Sequence, residues 1–461
     1  FFENLSEKSY FYTRQHIESM KILTKNQIKA LDKRTINEEG ISSLDLMERA
    51  AQALTNAICQ LFPEPRSFKL FAGPGNNGGD TLAVARLLSE RGYRSDVYLF
   101  NTRQSLSEDC QTNAERLLDC TDVNFIEVDE AHFDLLLDGT NGVFVTPHNV
   151  GKTRVDLFPV NAEGCTVKVE LKDAEGNVVG AAETEALAHT HVLIDVKEPH
   201  LWDGLADPYC YSCEASILCD GEVKDTVAVT YGYRSFHVCP NTGFWLNGKN
   251  VPLRGVARHQ DRLDKGWAIS KADHEEDVAI IKELGANTIR LAHYQHDQYF
   301  YDLCDEAGFV LWAEIPFISQ FIPTEEAYNN TISQMTELVA QNYNHPAICF
   351  WGISNEILIG ADREDLRQNL RDLHELAKSM DPSRLTTMAQ VSMTPMDSEH
   401  NYITDVVSYN HYFGWYGGDV EDNGPWLDKF HAMHPDKCLG VSEYGAENIL
   451  SWHTAEPENH D

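Results

Sequence analysis

Two glutamates close strand-length apolar runs in the second half of the chain. Glu356 follows the run 348–354, and Glu443 ends the run 439–443. A carboxyl pair held roughly 5 Å apart is the equipment for cutting a glycosidic bond with retention of configuration. One carboxyl, kept protonated by its surroundings, donates a proton to the leaving oxygen. The other attacks the anomeric carbon, and water then releases the covalent sugar. Asn355 stands directly before Glu356, where its amide can hold a sugar 2-hydroxyl through the transition state. Trp351 and Trp415 offer flat faces to a sugar ring, although core packing accounts for either equally well. His259, His293 and His411 come from different loops and lack the spacing of metal ligands.

Such a pair works only if the fold brings two distant segments together. From about residue 239, strand-length runs at 251–256, 288–291, 310–314, 348–354, 385–389, 406–409 and 439–443 alternate with helical stretches. Those stretches lie at 271–284, 298–307, 325–342 and 363–380. Repeated units of this length predict a parallel (β/α) TIM barrel, whose active sites form on loops at the C-terminal ends of the strands. Polar and aromatic groups gather at those ends here, among them Arg254, His259, Arg290, His293, Asn355, Tyr412 and Glu443. Seven strands are found, so the expected (β/α)8 barrel is truncated after strand seven.

Two other textures precede it. Between residues 140 and 238, short runs at 167–171, 191–196, 210–219 and 226–231 are punctuated by Gly, Asp, Asn and Pro. They show no helical period, which predicts an antiparallel β-sandwich. Residues 20–139 instead read helix 44–61, strand 68–72, the turn Gly73 to Asp80, helix 82–91, strand 94–100, helix 112–118 and strand 133–138. That order predicts part of a doubly wound, Rossmann-like α/β sheet. Closely spaced glycines before a helix let backbone N–H groups approach a phosphate; a generic strand-to-helix turn is the alternative.

Composition narrows the partners. The net charge of −35 argues against nucleic acid and against an anionic membrane surface, and no apolar run is long enough to span a bilayer. Eleven scattered cysteines, an odd number, suit reduced thiols, and Cys210 with Cys213 falls on one strand without a second pair to complete a metal site. Residues 1–19 form an extension without the apolar centre of a secretory signal. A cytoplasmic location is expected.

Taken together, Asn247-Gly248-Lys249 with Arg254-Gly255, Arg290 to Tyr294, Tyr301 to Asp305, Trp351 to Glu356 and Ser442 to Gly445 give residues 140–461 a specific resemblance. This part of the chain resembles glycoside hydrolase family 2, the β-galactosidase, β-glucuronidase and β-mannosidase group. The resemblance implies an immunoglobulin-like sandwich over 140–238 and a catalytic barrel over 239–461, without the family's amino-terminal jelly roll or final barrel strand. It implies Glu356 as acid/base and Glu443 as nucleophile, with Asn355, His293, Arg290, Tyr412, Trp415 and His259 around the sugar. No cofactor is implied. Leu44 to Ala50 and Gly73 to Asp80 likewise make residues 20–139 resemble the NAD(P)H-hydrate epimerase (YjeF amino-terminal) family. There Asn76, Asn77, Gly78, Gly79 and Asp80 would hold the pyrophosphate of hydrated NAD(P)H, and Asn77 and Asp138 would ligate potassium. The expected function is therefore retaining exo-β-glycoside hydrolysis, most plausibly of β-galactosides. The alternatives are nucleotide repair by the amino-terminal segment, or an inactive truncated fusion.

Overall fold

The computed structural model describes residues 25–63, 67–100, 105–118, 120, 123–128, 142–148 and 151–446. Contacts divide the chain into two compact units, residues 1–137 and 138–461.

The first unit is a three-stranded parallel sheet in the order β1 (Ser67–Ala72), β2 (Arg94–Phe100), β3 (Val123–Val128). Helices α1 (Lys25–Glu39), α2 (Ser43–Leu61), α3 (Asn76–Ser89) and α4 (Glu108–Leu117) accompany it. Ser42 caps α2 through a capping box with Asp45. The α2 motif then has a packing role: Met47 is buried, and a Cβ at Gly79 would stand 2.7 Å from its sulfur. Strand β3 begins ten residues before the expected 133–138 run, which lies outside the described residues.

The second unit begins with seven antiparallel strands in two sheets. β4 (Val143–Pro147), β5 (Lys152–Leu157) and β8 (Thr190–Asp195) form one, in the order β4-β5-β8. β6 (Thr166–Lys172), β7 (Val178–Glu185), β9 (Tyr211–Cys219) and β10 (Glu222–Tyr231) form the other, in the order β10-β9-β6-β7. Val167, Val169 and Leu171 alternate inward with Val155, Leu157, Val192 and Ile194, as strands half-buried between two sheets must.

Antiparallel pairing sets Thr166 opposite Leu218, so Cys165 and Cys219 meet one step further along and form a disulfide with Cα atoms 4.5 Å apart. These two cysteines depart from the expectation of scattered reduced thiols. Cys213 is buried within β9, while Cys210 is half-buried just before that strand begins. A small hairpin sheet, β11 (Phe236–Cys239), β12 (Gly243–Leu246) and β13 (Lys249–Asn250), leads into the barrel.

Seven parallel strands follow, each hydrogen-bonded to the next in chain order: β14 (Gly255–Arg258), β15 (Thr288–Leu291), β16 (Val310–Glu314), β17 (Ile348–Asn355), β18 (Leu385–Val391), β19 (Val406–Asn410) and β20 (Leu439–Glu443). All eight residues of β17 are buried, because a barrel strand is covered on both faces. Outside it lie α5 (Lys271–Glu283), α6 (Gln298–Ala307), α7 (Glu325–Asn342), α8 (Glu364–Met380) and α9 (Asn423–Met433). Helix α8 shows why the sequence was readable: Leu366, Leu370, Leu373 and Ala377 recur at helical spacing and bury against the strands. Gly308 ends α6 at a φ of +80°, and a Cβ there would lie 2.3 Å from the carbonyl oxygen of Gly204.

Among the described residues the seam between β14 and β20 carries no strand pairing; the Tyr444 hydroxyl crosses it to the Gly255 carbonyl at 3.0 Å. Sandwich and barrel are joined by the buried Trp202 indole, which donates to the Asp305 carbonyl at 2.9 Å. Among the described residues, no helix is long and apolar enough to cross a membrane.

Candidate active site

Arg290 ends up at the centre of the barrel mouth because β15 is flanked by β14 and β16 and its side chain points inward. Its Nε and Nη2 donate to the two oxygens of Glu314, each at 2.9 Å, and Nη2 also reaches Asn355 Oδ1 at 2.7 Å. Nη1 donates to Glu443 Oε1. Glu314 is wholly buried and Arg290 is 5% exposed. Burial works against both charges, and each outweighs it for the other: the Glu314 carboxyl is held below its ordinary range, chiefly by Arg290 and His293, and the Arg290 pKa is raised. His293 Nδ1 lies 2.7 Å from Glu314, leaving its Nε2 3.7 Å from Glu443.

Glu443 is gripped on both oxygens, since the Tyr412 hydroxyl donates to Oε2. Burial and then the Glu443 carboxylate push the Tyr412 phenol up, so at neutral pH it acts as a donor. Glu356 is held from another side. Asn410 Nδ2 donates to its Oε1 at 3.0 Å and to Asn355 Oδ1 at 3.2 Å, while Asn410 Oδ1 accepts from Ser442 Oγ at 2.8 Å. Asn410 and Glu443 are register partners on β19 and β20. One amide thus ties Glu356 to the strand that presents Glu443, and the Tyr412 phenol feels the charge of both glutamates. The Glu356 backbone itself has a φ of +49°, the left-handed conformation that non-glycine residues adopt mainly where surrounding structure enforces it.

Six expected residues therefore meet in one hydrogen-bonded cluster: Glu356, Glu443, Asn355, Arg290, His293 and Tyr412. His259 sits at its edge, its ring 5.1 Å from that of His293, and burial with the neighbouring His293 lowers its pKa. The two tryptophans stand differently. Trp351 is fully buried and its indole donates to Asp381 at 3.0 Å, so it belongs to the core and not to a sugar platform. Trp415 is only 5% exposed, although its neighbour Tyr416 is 61% exposed. Glu314 and Asn410 are the two members absent from the expected set. A cavity of about 890 Å³ opens at Glu443, His293, His259 and Tyr412 and follows the seam between β14 and β20.

His411, next to Asn410, is 2% exposed and stacks on Tyr409 and Phe413. Neither ring nitrogen has a hydrogen-bond partner among the described residues, and burial pushes its pKa down to about 4. His296 is lowered to about 3, also chiefly by burial. A buried histidine kept neutral supports the fold fully above its unfolded pKa, near 6.5, and that support is lost as pH falls towards its folded value. The melting temperature should fall between pH 6.5 and 4, and His411→Phe should flatten that fall in a thermal-melt series.

In the first unit, Asn76, Asn77, Gly78, Gly79 and Asp80 form the opening turn of α3. A Cβ at Gly78 would stand 1.8 Å from the Gly73 carbonyl oxygen, so close backbone packing explains that glycine without a ligand. Burial first, then Asp32 and Asp109, push the Asp80 carboxyl up. Asn77 is exposed, and its expected companion Asp138 lies outside the described residues.

Comparison with known proteins assigns the same segments. Residues 239–457 match the family described as glycosyl hydrolases family 2, TIM barrel domain, and residues 142–234 match glycosyl hydrolases family 2. Residues 43–158 match YjeF-related protein N-terminus; its last stretch overlaps β4 and β5, which the structure places in the sandwich. A β-glucuronidase of Bacteroides fragilis is 43% identical over 70% of this chain and 49% of its own length. The crystal structure of an FMN-binding β-glucuronidase from Faecalibacterium prausnitzii L2-6 is 50% identical, with a TM-score of 0.68 over 70% of this chain and 50% of that one. A β-galactosidase of Bacteroides ovatus is 31% identical over 46% of this chain and 26% of its own. The chain spans about half the length of the β-glucuronidases it matches.

Proposed function

Because residues 142–234 and 239–457 belong to glycosyl hydrolases family 2, we propose that this chain carries the catalytic half of a retaining exo-β-glycosidase, with β-glucuronides as substrates. The observation that carries the reading is the single network holding Glu356 and Glu443 through Arg290, Asn410 and Tyr412. Glu443, with both oxygens oriented, attacks the anomeric carbon from one face. Glu356 gives its proton to the departing oxygen and later takes one from the water that resolves the glycosyl-enzyme. Positive charge develops on the sugar in the transition state, and the site is built for it: one guanidinium faces Glu314 and Glu443, with Glu356 nearby. Asn355, oriented by Arg290, presents its amide to the sugar 2-hydroxyl.

Glucuronide is preferred over the galactoside expected from sequence because most of the similar proteins reported are named β-glucuronidases, including those at 43% and 50% identity. The test is a pair of 4-nitrophenyl substrates that share a leaving group. The glucuronide should be cleaved with a kcat/KM at least about a hundredfold above the galactoside, a gap of the size left by one unmet charged contact. The reverse order would restore the galactoside reading.

A second activity, epimerisation of hydrated NAD(P)H by the first unit, rests on the match over residues 43–158 and on the glycine-rich turn that opens α3. A rate of epimer interconversion no higher than the spontaneous one would reject it.

A further inference from the structure

Trp267 is 64% exposed and Leu263 is 82% exposed on the loop that follows β14, directly after His259. The loop is a clamped turn. Arg262 and Gly266 exchange backbone hydrogen bonds at 3.1 and 2.9 Å. The Arg262 guanidinium pairs with Asp277 at 2.5 Å and with Asp273 at 3.3 Å, and Lys265 pairs with Asp273 at 2.6 Å. Two large apolar side chains thus stand exposed on a braced turn.

The surface is continuous with the reacting groups. The Trp267 ring lies 4.5 Å from Tyr294, Tyr294 lies 6.0 Å from His259, and His259 lies 5.1 Å from His293. His293 Nε2 is in turn 3.7 Å from Glu443. A ligand seated on the catalytic cluster and extending past His259 therefore meets the indole. We propose that Trp267, backed by Tyr294, is the platform for the leaving group of the substrate, and that it selects leaving groups carrying a flat aromatic ring. This rests on the glycosidase reading.

Both cations of the loop are committed to ion pairs. Its remaining charges are Asp261 and Asp264, which are exposed. An apolar face edged with acid suits a neutral or cationic aromatic ring and repels a second, anionic sugar. The indole has only two side-chain torsions and already rests against Tyr294, so little conformational entropy is lost when a ring stacks on it.

The test is binding of phenyl and methyl 1-thio-β-D-glucuronide, which resist hydrolysis, to the whole chain by calorimetry. The phenyl compound should bind about five- to tenfold more tightly than the methyl one, the worth of one aromatic stack. Trp267→Ala should abolish that preference while leaving the methyl compound within twofold, and Trp267→Phe should keep most of it. A phenyl preference that survives in Trp267→Ala, or none in the native chain, overturns the platform alone. Failure of both compounds to bind overturns the glucuronide reading and the platform with it.

Discussion

Replacing Glu443 with Gln is expected to lower kcat by about a thousandfold or more on every substrate, with little change in melting temperature. The amide keeps the shape of the carboxyl but cannot attack the anomeric carbon, so no glycosyl-enzyme forms whatever the leaving group. Glu356→Gln should behave differently. Loss of a general acid costs about 10²–10⁴ where the leaving oxygen needs a proton, as in alkyl glycosides. It costs far less in kcat/KM with 4-nitrophenol, which departs as a stable anion, while kcat still falls because the resolving water loses its base. Steady-state kinetics on both substrate types therefore separates the two roles. Equal losses for the two variants on both substrates would contradict the assignment of Glu356 as acid.

Arg290→Met should be the most damaging substitution for the fold of the barrel mouth. It leaves Glu314, wholly buried, without its guanidinium partner, and removal of one member of such a pair costs about 3–5 kcal/mol. The Glu314 contribution to the pH dependence should also change sign. In the native chain the Glu314 pKa is lowered, so its contribution is present above the unfolded carboxyl pKa and is lost as pH falls through the folded value. Without Arg290 the burial effect dominates and the folded pKa rises, so the variant should lose less stability than the native chain as pH falls from 7 to 5. Arg290→Met combined with Glu314→Met should recover much of the loss, because an apolar pair leaves no charge stranded. Melting curves at both pH values for the single and double variants check this; a single variant as stable as the native chain at pH 7 would refute it.

Glu356 and Glu443 were legible in the sequence because each interrupts an apolar run at its end, where barrel chemistry is placed. The helices of the barrel were legible for a similar reason, as α8 illustrates. Glu314 sends the same signal at the end of β16, yet it was passed over: a carboxylate that supports Arg290 and one that reacts look alike before the network is seen. Asn410 stands in the polar cluster that ends strand six, but its role comes from the β19–β20 register that sets it between Glu356 and Ser442. The same holds for Cys165 and Cys219, which become partners only when β6 and β9 pair. Strand β7 escaped notice because its small and polar residues, exposed along one side, give little alternation to read. Barrel strand one was expected at 251–256, but pairing begins only at Gly255, where a Cβ would lie 2.0 Å from the Thr288 carbonyl oxygen. Before it, the Val251 N–H donates instead to the Phe244 carbonyl on β12 at 2.9 Å. Trp351 shows the opposite limit: its type suits a sugar platform, and only its burial against Asp381 settles its place.

The most direct test of the retaining mechanism is mass spectrometry of the chain after incubation with 2-deoxy-2-fluoro-β-D-glucuronyl fluoride. The fluorine at carbon 2 slows both formation and release of the covalent intermediate, and the fluoride leaving group restores formation, so the intermediate accumulates. One sugar per chain, mapped to the peptide containing Glu443 and absent in Glu443→Gln, is the expected result. A label on any other residue, or turnover that releases the sugar with inverted configuration and no adduct, would contradict it.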